Sequence, residues 1–387
     1  MTVQADGGAT PGAEPSAGFV SAPPLIEALE ALAARFRQGR PVRLTGHGSK
    51  DFYGGPLGDA EPVSTLALNG VQAYEPSELY ITAAAGTPVA DVEALLARHG
   101  QHLAFEPPRF VGAASGGTGT IGGMVASGLS GPARATAGAV RDHVLGLTML
   151  DAKGEPLHFG GTVMKNVAGY DVSRLMAGSL GVLGLIAQVT LKVLPLPVAT
   201  ATLRFEARQD EALMQMNRWG GLPLPVSATA WWDGALVLRL SGAEAAVAAA
   251  IRKLGGDVIP EAMAAPFWQG LRDQCDEFFL GARRAVQGGA TLWRIAVPST
   301  TPVMPLHGEQ LVEWGGAQRW VVTPMAASQL RETVAAAGGH ATQFYAADKS
   351  AGVFSPLGPQ LTKIHRELKR QFDPAGIFNP GRLYPDL

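Results

Sequence analysis

The chain has 387 residues and a formal net charge of −2, and 47% of its residues are hydrophobic while 17% are charged. This length suffices for two domains and this apolar content for a sizeable core, which excludes wholesale disorder. Since lysine and arginine form no block, neither a nucleic-acid partner nor direct membrane insertion is expected. The single cysteine, Cys275, excludes a disulfide framework and a cluster bound by thiolates of this chain. No histidine pattern predicts a metal site.

The predicted elements of the first lobe follow a loose tail at residues 1–22, which lacks the regions of a signal peptide. Apolar spacing predicts a helix from Pro23 to Gly39, and the short strand PVRLT then leads into the loop GHGSKDFYGG. Residues 107–132 show neither a strand pattern nor a long helix pattern. A later strand alternates apolar and polar residues around Val189 and Leu191, which predicts one buried face.

The second lobe begins after Pro195 and Pro197, which mark the predicted boundary between residues 23–196 and 197–355. Its first elements follow the order strand, helix, strand, strand, helix, strand, the split β-α-β-β-α-β pattern of a ferredoxin-like layer. A final amphipathic helix and a tail complete the chain over residues 356–387.

The run Gly117–Gly122 matches G-x-G-x-x-G letter for letter. A Rossmann site needs a strand before these glycines and a helix after them, because the pyrophosphate binds at the helix N-terminus. Prolines precede the run instead, Gly128 and Gly131 interrupt the residues after it, and the acidic Asp142 precedes a strand instead of ending one. The Rossmann interpretation is therefore disfavoured. A serine hydrolase is disfavoured too, because the near-match to G-x-S-x-G around Ser179 is incomplete.

Two glycine-rich loops remain to be explained. We call Gly46–Ser49 the first glycine loop and Gly117–Gly131 the second glycine loop. Glycine allows successive backbone N–H groups to face anionic oxygen without obstruction, so the two loops together could bind one extended dinucleotide from two sides. Flexible loops without a ligand are the alternative.

Several segments resemble the FAD domain of the vanillyl-alcohol oxidase/p-cresol methylhydroxylase (PCMH) superfamily. They are RLTGHGSKDFYGG, GTIGGMVASGLSGP, VRDHVLGLTMLDAKGEPLHFGG and VMKNVAGYDVSRLMAGSLGVLG, and FDPAGIFNPGRL resembles the closing motif of the superfamily. Together with LVEWGGAQRW and NPGRLYP, they are most similar to the small FAD-binding subunits of glycolate oxidases (glycolate dehydrogenases). The resemblance implies an α+β fold, with a PCMH-type FAD-binding domain at residues 23–196, a ferredoxin-like α+β cap at 197–355, and a tail that returns to the flavin.

The resemblance also implies the residues that bind FAD. Gly46, His47, Gly48, Ser49 and Lys50 would contact the pyrophosphate; Thr120, Gly122, Gly123, Ser127, Gly128 and Gly131 the second phosphate and ribityl side; Gly181 to Ile186 the adenine half; and Asn379 the isoalloxazine ring. Aspartate at Gly122 is expected to abolish flavin retention by facing the diphosphate. Relatives attach FAD covalently through a histidine that corresponds to Gly48, so hydrogen bonding or packing is favoured over attachment for His47.

Candidates for the chemistry are fewer. Sister subunits and related D-2-hydroxyacid dehydrogenases use a paired-histidine metal site, whereas this chain has only His340 in the comparable region. A carboxylate substrate could pair with Arg294 or Arg109, although each also fits an ordinary salt bridge. Lys165 and Tyr170 could tune the flavin or simply stabilise the local turn.

The resemblance implies an FAD-dependent glycolate dehydrogenase subunit that transfers hydride from a small 2-hydroxyacid to flavin. Its partners would be a sister FAD-binding catalytic subunit and an iron–sulfur subunit. The alternative is a non-catalytic FAD electron-transfer or assembly subunit, since the histidine pair is missing. A stand-alone reductase acting on a nucleotide-sugar is disfavoured by the NPGRL tail. We expect a cytoplasmic protein that reaches the inner membrane only through its complex.

Overall fold

The computed structural model describes residues 23–113, 115–163 and 170–387. Elements of the first lobe are α1 (Pro23–Phe36), β1 (Val42–Thr45), β2 (Glu61–Ser64), β3 (Val71–Glu75), β4 (Tyr80–Ala84), α2 (Val89–Arg98), β5 (Gln101–His102), α3 (Ile121–Ser127), α4 (Arg134–Ala137), α5 (Val140–His143), β6 (Val144–Leu150), β7 (Pro156–Gly160), α6 (Val172–Leu175), β8 (Leu185–Lys192) and β9 (Leu194–Pro195).

The main sheet of the first lobe has the strand order β3-β4-β8-β6-β7, and β1 pairs with β2 in parallel beside it. Strand β8 lies between β4 and β6, and buried clusters cover both faces of the sheet. Ala187 is an extra residue at a register shift against β6, so that Ile186 and Val189 belong to one cluster and Leu185 and Ala187 to the other. The prediction of one buried face for β8 was therefore wrong. A central strand that is covered on both sides buries even a threonine such as Thr190.

The second lobe contains β10 (Ala199–Glu206), α7 (Gln209–Gly220), β11 (Val226–Trp232), β12 (Ala235–Gly242), α8 (Glu244–Leu254), β13 (Asp257–Ile259), α9 (Glu261–Asp273), α10 (Glu277–Gln287), β14 (Thr291–Ala296), β15 (Glu309–Glu313), a 3-10 turn (Trp314–Gly316), β16 (Gln318–Thr323), α11 (Ala327–Ala336) and β17 (His340–Tyr345). Helix α12 (Pro359–Phe372) and the tail follow.

The strands of the second lobe form one antiparallel sheet in the order β13-β10-β12-β11-β15-β16-β14-β17. Its first half has the predicted ferredoxin-like order. The second half repeats that order in mirror image, and β11 pairs with β15 at the junction. Where the repeat would place a helix between β14 and β15, the chain instead forms a loop. The buried guanidinium of Arg319 donates hydrogen bonds to the carbonyl oxygens of Thr301 and Pro302 in this loop. These bonds hold the loop against the sheet, where a packed helix would otherwise lie.

Helix α3 lies inside the region for which the sequence indicated no long helix. Thr120 caps this short helix by accepting a hydrogen bond from the Gly123 N–H, and Gly128 ends it in the left-handed conformation at φ 66°. The helix is too short, and too rich in glycine, to produce a recognisable apolar period.

Candidate cofactor-binding site

An open cleft with an empty volume of about 830 Å³ lies in the first lobe. Most of the predicted cofactor-binding residues line it, namely Gly46, His47, Gly48, Ser49, Lys50, Thr120, Gly122, Gly123, Ser127, Gly181, Ile186 and Asn379. Gly128 and Gly131 lie outside its lining. Strand β1 positions the first glycine loop, α3 forms the opposite wall, and the C-terminal tail brings Asn379 to the same place. Three distant parts of the sequence thus meet at one cleft.

The first glycine loop exposes backbone donors. The N–H groups of its residues and of Lys50 have no hydrogen-bond acceptor within the described ranges. Gly48 has φ 66°, which glycine adopts without strain. Because unpaired N–H groups are costly when they are shielded from water, a run of them along a cleft fits an anionic ligand such as a diphosphate.

The second glycine loop differs, because several of its N–H groups already have acceptors in the protein. Gly119 donates to His47 Nδ1 (3.2 Å), Ile121 to the Thr87 carbonyl (2.9 Å), Gly122 to the Ala85 carbonyl (2.8 Å) and Gly123 to Thr120 Oγ1 (3.3 Å). The expectation that backbone donors of both loops would surround the ligand was therefore wrong for these residues. The first loop is therefore the richer source of free donors, because none of its N–H groups has an acceptor among the described residues.

Most glycines of the second loop are required by packing inside the protein. A Cβ at Gly122 would lie 2.6 Å from the Ala85 Cβ, one at Gly128 2.9 Å from the Gly178 Cα, and one at Gly131 2.5 Å from the Glu106 carbonyl oxygen. At Gly123, by contrast, a Cβ would meet only Thr120 Oγ1 at 3.3 Å. Gly128 and Gly131 thus serve close backbone packing, and the effect expected of aspartate at Gly122 would arise from a clash with Ala85.

His47 connects the two loops. Its Nδ1 accepts the hydrogen bond from Gly119, and its backbone carbonyl accepts one from Ser115 Oγ (2.6 Å). The imidazole packs directly on Gly117, where a Cβ would lie 2.4 Å from the His47 Cγ. These contacts fit the hydrogen-bonding and packing role that was favoured for this histidine.

Positive charge accumulates beside the first glycine loop. Burial lowers the pKa of Lys50 to about 8, although the Asp273 carboxylate of α9 opposes this shift. Lys50 forms no ion pair with any residue in the described part of the chain. A buried ammonium without a paired carboxylate is expensive, so an anionic ligand in the cleft would stabilise it.

The tail reaches the cleft through Asn379, a residue with φ 42°. Its Oδ1 accepts a hydrogen bond from the Leu44 N–H (2.7 Å), and its Nδ2 donates to the Leu180 carbonyl (2.6 Å). The side chain therefore joins β1 to the segment before Gly181, where a Cβ would lie 2.7 Å from this Nδ2. Its approach to the isoalloxazine ring stays a prediction.

The three predicted catalytic residues do not line the cleft, and the structure does not bring them together. Arg109 forms an ion pair with Glu93 of α2, and its N–H donates to Asp273 Oδ1 (3.0 Å) at the junction of the lobes. Arg294 lies on β14, and His340 begins the neighbouring edge strand β17. Burial and the charge of Arg294 both lower the pKa of His340. Tyr170 is 97% exposed, and Lys165 lies outside the described residues.

Arg294 takes part in a polar network of the cap. Its Nε donates to Gln318 Oε1 (3.0 Å), and Gln318 Nε2 donates to Glu313 Oε2 (3.0 Å). The same Glu313 oxygen also accepts a hydrogen bond from Trp320 Nε1 (2.7 Å). Burial raises the pKa of Glu313 to about 7, because these donors do not fully offset the loss of hydration.

The network predicts a pH effect on stability. Because Glu313 has a higher pKa in the folded state (about 7) than its ordinary 4.5, the folded chain binds the proton more tightly. The free energy of unfolding should therefore fall by up to about 3 kcal/mol as the pH rises through this window. In chemical denaturation at several pH values, Glu313→Gln should show a flatter profile, whereas Glu332→Gln on the exposed side of α11 should match the parent. Equal slopes for the parent and Glu313→Gln would contradict this assignment.

Aromatic rings fill the space where the residues after the first glycine loop meet the cap. Phe52 stacks on Tyr345 of β17, with ring centroids 4.2 Å apart and an interplanar angle of 19°. Phe52 also meets Phe110 edge-on at 5.2 Å, and Tyr53 lies 5.4 Å from Phe344. We call these rings (Phe52, Tyr53, Phe110, Phe344 and Tyr345) the interlobe ring cluster. It belongs to one buried hydrophobic core that both lobes share.

Sequence comparisons agree with this architecture. The model of an FAD-binding domain family matches residues 20–173. Glycolate oxidase subunit GlcE of Escherichia coli (strain K12) is 46% identical over 347 residues, which cover 90% of this chain and 93% of that relative. The chain belongs to the GlcE family of glycolate oxidase subunits. Glycolate oxidase subunit GlcD of Bacillus subtilis (strain 168) is 39% identical over 84 residues, 22% of this chain and 18% of that relative.

Membership of this family makes the chain a flavoprotein with FAD as its cofactor. The fold is also similar to that of alkyldihydroxyacetonephosphate synthase, with a TM-score of 0.60 at 16% identity over 92% of this chain and 76% of that protein. These findings confirm the predicted superfamily, the two-lobed α+β fold and FAD. Within the described residues, we find no helix with the length and apolar character required to cross a membrane.

Residues that the sequence did not single out also line the cleft, including Arg43, Asp51, Ala85 and Arg382. The sequence could have indicated Arg382, since this residue directly follows the Asn-Pro-Gly turn of the closing motif. Nothing in the sequence indicates Ala85, because a small residue at the end of a strand is unremarkable without its partner Gly122.

Proposed function

We propose that this chain is the FAD-carrying electron-transfer subunit of a glycolate oxidase complex, and that a sister subunit removes the hydride from glycolate. The similarity to GlcE supports membership of such a complex, and the shorter similarity to GlcD suggests the type of sister subunit. FAD supplies reversible one- and two-electron transfer when bound.

The residues of the first glycine loop would bind the diphosphate of FAD. Their free N–H groups supply donors, and the buried Lys50 supplies a compensating charge. Gly123 leaves space along the opposite wall, while Asn379 stabilises the wall between β1 and Gly181. This assignment accounts for the unpaired donors and the uncompensated cation with one ligand.

The interlobe ring cluster is the observation that favours electron transfer over substrate oxidation. A hydroxyacid would need a polar space and a cation for its carboxylate. The contact between the loop residues and the cap is instead packed with aromatic rings, and Arg109 already pairs with Glu93.

Hydride transfer within this chain is the second candidate. Arg294 favours it, since this arginine lies beside Tyr53 at the contact between the lobes and would supply a cation for a carboxylate there. In either case an iron–sulfur relay of the complex would belong to another chain, because the one cysteine of this chain cannot bind an iron–sulfur cluster.

Anaerobic flavin reduction separates the two candidates. The purified chain, loaded with FAD, is expected to keep its oxidised visible spectrum when glycolate is added, because in our proposal the sister subunit removes the hydride. Bleaching should appear only after the sister subunit is added. If glycolate bleaches the isolated chain, and Arg294→Met prevents this while Arg204→Met does not, the hydride step belongs to this chain and our proposal is wrong.

A further inference from the structure

The residues that come after the first glycine loop have an unusual set of hydrogen bonds. Every backbone carbonyl from Asp51 to Gly55 accepts a hydrogen bond from one of two cationic side chains. Arg382 of the tail donates to the carbonyls of residues 51, 53 and 55, with 3.2 Å between its Nη2 and the Asp51 oxygen. Lys349 of the cap donates to those of residues 52 and 54, with 2.9 Å between its Nζ and the Gly54 oxygen. We call residues 51–55 the bridging segment.

Residues 51 and 52 lie in a turn and residues 53–55 in a bend, and along this course successive carbonyls are bound from opposite sides. One side faces the tail, where the Gly55 N–H also donates to the Arg382 carbonyl (2.8 Å). The other side faces the loop after β17. That loop is itself well ordered by hydrogen bonds, since Ser350 Oγ donates to Asp348 (2.9 Å) and Arg331 donates to the Ala351 carbonyl (2.7 Å).

The bridging segment is continuous with the first glycine loop. The Asp51 N–H donates to the Gly48 carbonyl (3.2 Å), and the Tyr53 N–H donates to the Lys50 carbonyl (3.0 Å). A displacement of the bridging segment would therefore alter the loop whose N–H groups remain free for the diphosphate. Lys349 does not line the cleft, and its hydrogen bonds connect it to the first glycine loop through this segment.

The charges at this place are unbalanced. Arg382 and Lys349 bind the same segment, and neither forms an ion pair with a carboxylate of the described residues. Burial and the charge of Arg382 lower the pKa of Lys349 to about 8. Burial lowers the pKa of Arg382; the charge of Asp51 opposes this shift, and the charge of Arg43 adds to it. An excess of positive charge beside the cleft is stabilised by an anionic cofactor.

We propose that Lys349 is a positioning residue for FAD, which couples the cap lobe to cofactor affinity by keeping the bridging segment, and through it the first glycine loop, in the FAD-binding conformation. The inference depends on FAD binding by this chain and not on the route of the electrons. Its test is therefore independent of glycolate and of the sister subunit.

Titration of the flavin-free full-length chain with FAD tests the proposal, with the dissociation constant read from FAD fluorescence. Lys349→Met removes the charge and leaves two carbonyls unpaired, and we expect FAD binding at least about tenfold weaker. Lys349→Arg keeps the charge and the donors and should stay within about threefold of the parent. Lys363→Met, on the exposed side of α12, should bind like the parent.

The pH dependence provides a readout that loss of packing alone would not change. Because the amine of Lys349 loses its proton as the pH rises through about 8, the affinity of the parent for FAD should fall over this range more steeply than that of Lys349→Arg. The comparison of the parent with Lys349→Arg tests the proposal even if Lys349→Met does not fold. Unchanged affinity in folded Lys349→Met, or identical pH profiles for the parent and Lys349→Arg, would overturn the proposal.

Discussion

Replacing Gly123 by leucine is expected to yield a folded, colourless protein. The Cα of Gly123 faces the cleft from α3, and a side chain there meets little of the protein itself, since its Cβ would contact only Thr120 Oγ1 at 3.3 Å. Leucine also favours a helix by about 1 kcal/mol relative to glycine, so the fold should be retained. The larger part of the leucine side chain would occupy the space of the cofactor. We expect FAD affinity to fall by at least about 100-fold, the loss of roughly 3 kcal/mol.

The adjacent glycine provides the matched control. At Gly122 even alanine places its Cβ 2.6 Å from the Ala85 Cβ, so Gly122→Ala should unfold more easily, by about 1–3 kcal/mol. Visible absorption reports bound flavin, and thermal unfolding of the flavin-free proteins reports stability. A yellow Gly123→Leu protein with normal FAD affinity would show that α3 does not face the cofactor.

These neighbouring glycines illustrate what the sequence could reveal. Glycine density predicted a cofactor site, because backbone that approaches a ligand needs glycine, and the structure has a cleft at these residues. Backbone that approaches other backbone needs glycine equally, and Gly128 and Gly131 belong to this second class. In the sequence alone, a glycine required by a ligand cannot be distinguished from a glycine required by neighbouring backbone. The two classes of glycine can be distinguished only when the atoms opposite each Cα are known.

The fold was predictable where one local pattern determined an element. The ferredoxin-like half of the cap followed from alternating strands and helices, each with its own period. Its mirrored half could not be recognised, because the loop before β15 replaces a helix and depends on the buried Arg319. The two faces of β8 were also misjudged, since burial on both sides depends on which strands become its neighbours.

The roles of the catalytic candidates could not be deduced from the sequence for a related reason. An arginine shows in the sequence only that a cation is present, whereas its partner decides whether that cation is available. Arg109 forms an ion pair with Glu93, and the Arg294 guanidinium donates a hydrogen bond to Gln318. Lys349 shows the converse, because its hydrogen-bond partner Phe52 lies 297 residues away and no motif surrounds it.

Replacing Asp373 by alanine is expected to be the most destabilising of these changes. Asp373 is 2% exposed and follows α12 at the start of the tail. Its Oδ2 accepts from Lys369 Nζ (2.7 Å) and from the Phe378 N–H (2.8 Å), and its Oδ1 accepts from the Ile377 N–H (3.0 Å). Alanine would leave these donors without the carboxylate. Removing one partner of a buried ion pair typically costs about 3–5 kcal/mol, because the remaining charge stays uncompensated.

The same substitution should weaken FAD binding, because Asp373 fixes the turn that carries Asn379 into the cleft. Lys369→Met should cost less, since the Asp373 carboxylate would keep its two backbone donors. Glu367→Ala, which breaks only the exposed ion pair with Arg370 on the same helix, should change the free energy of unfolding by less than about 1 kcal/mol. Denaturation and FAD titration of the three variants measure both effects. If Asp373→Ala is as stable as Glu367→Ala, the buried pair does not stabilise the tail, and the position of Asn379 must depend on its own hydrogen bonds to Leu44 and Leu180.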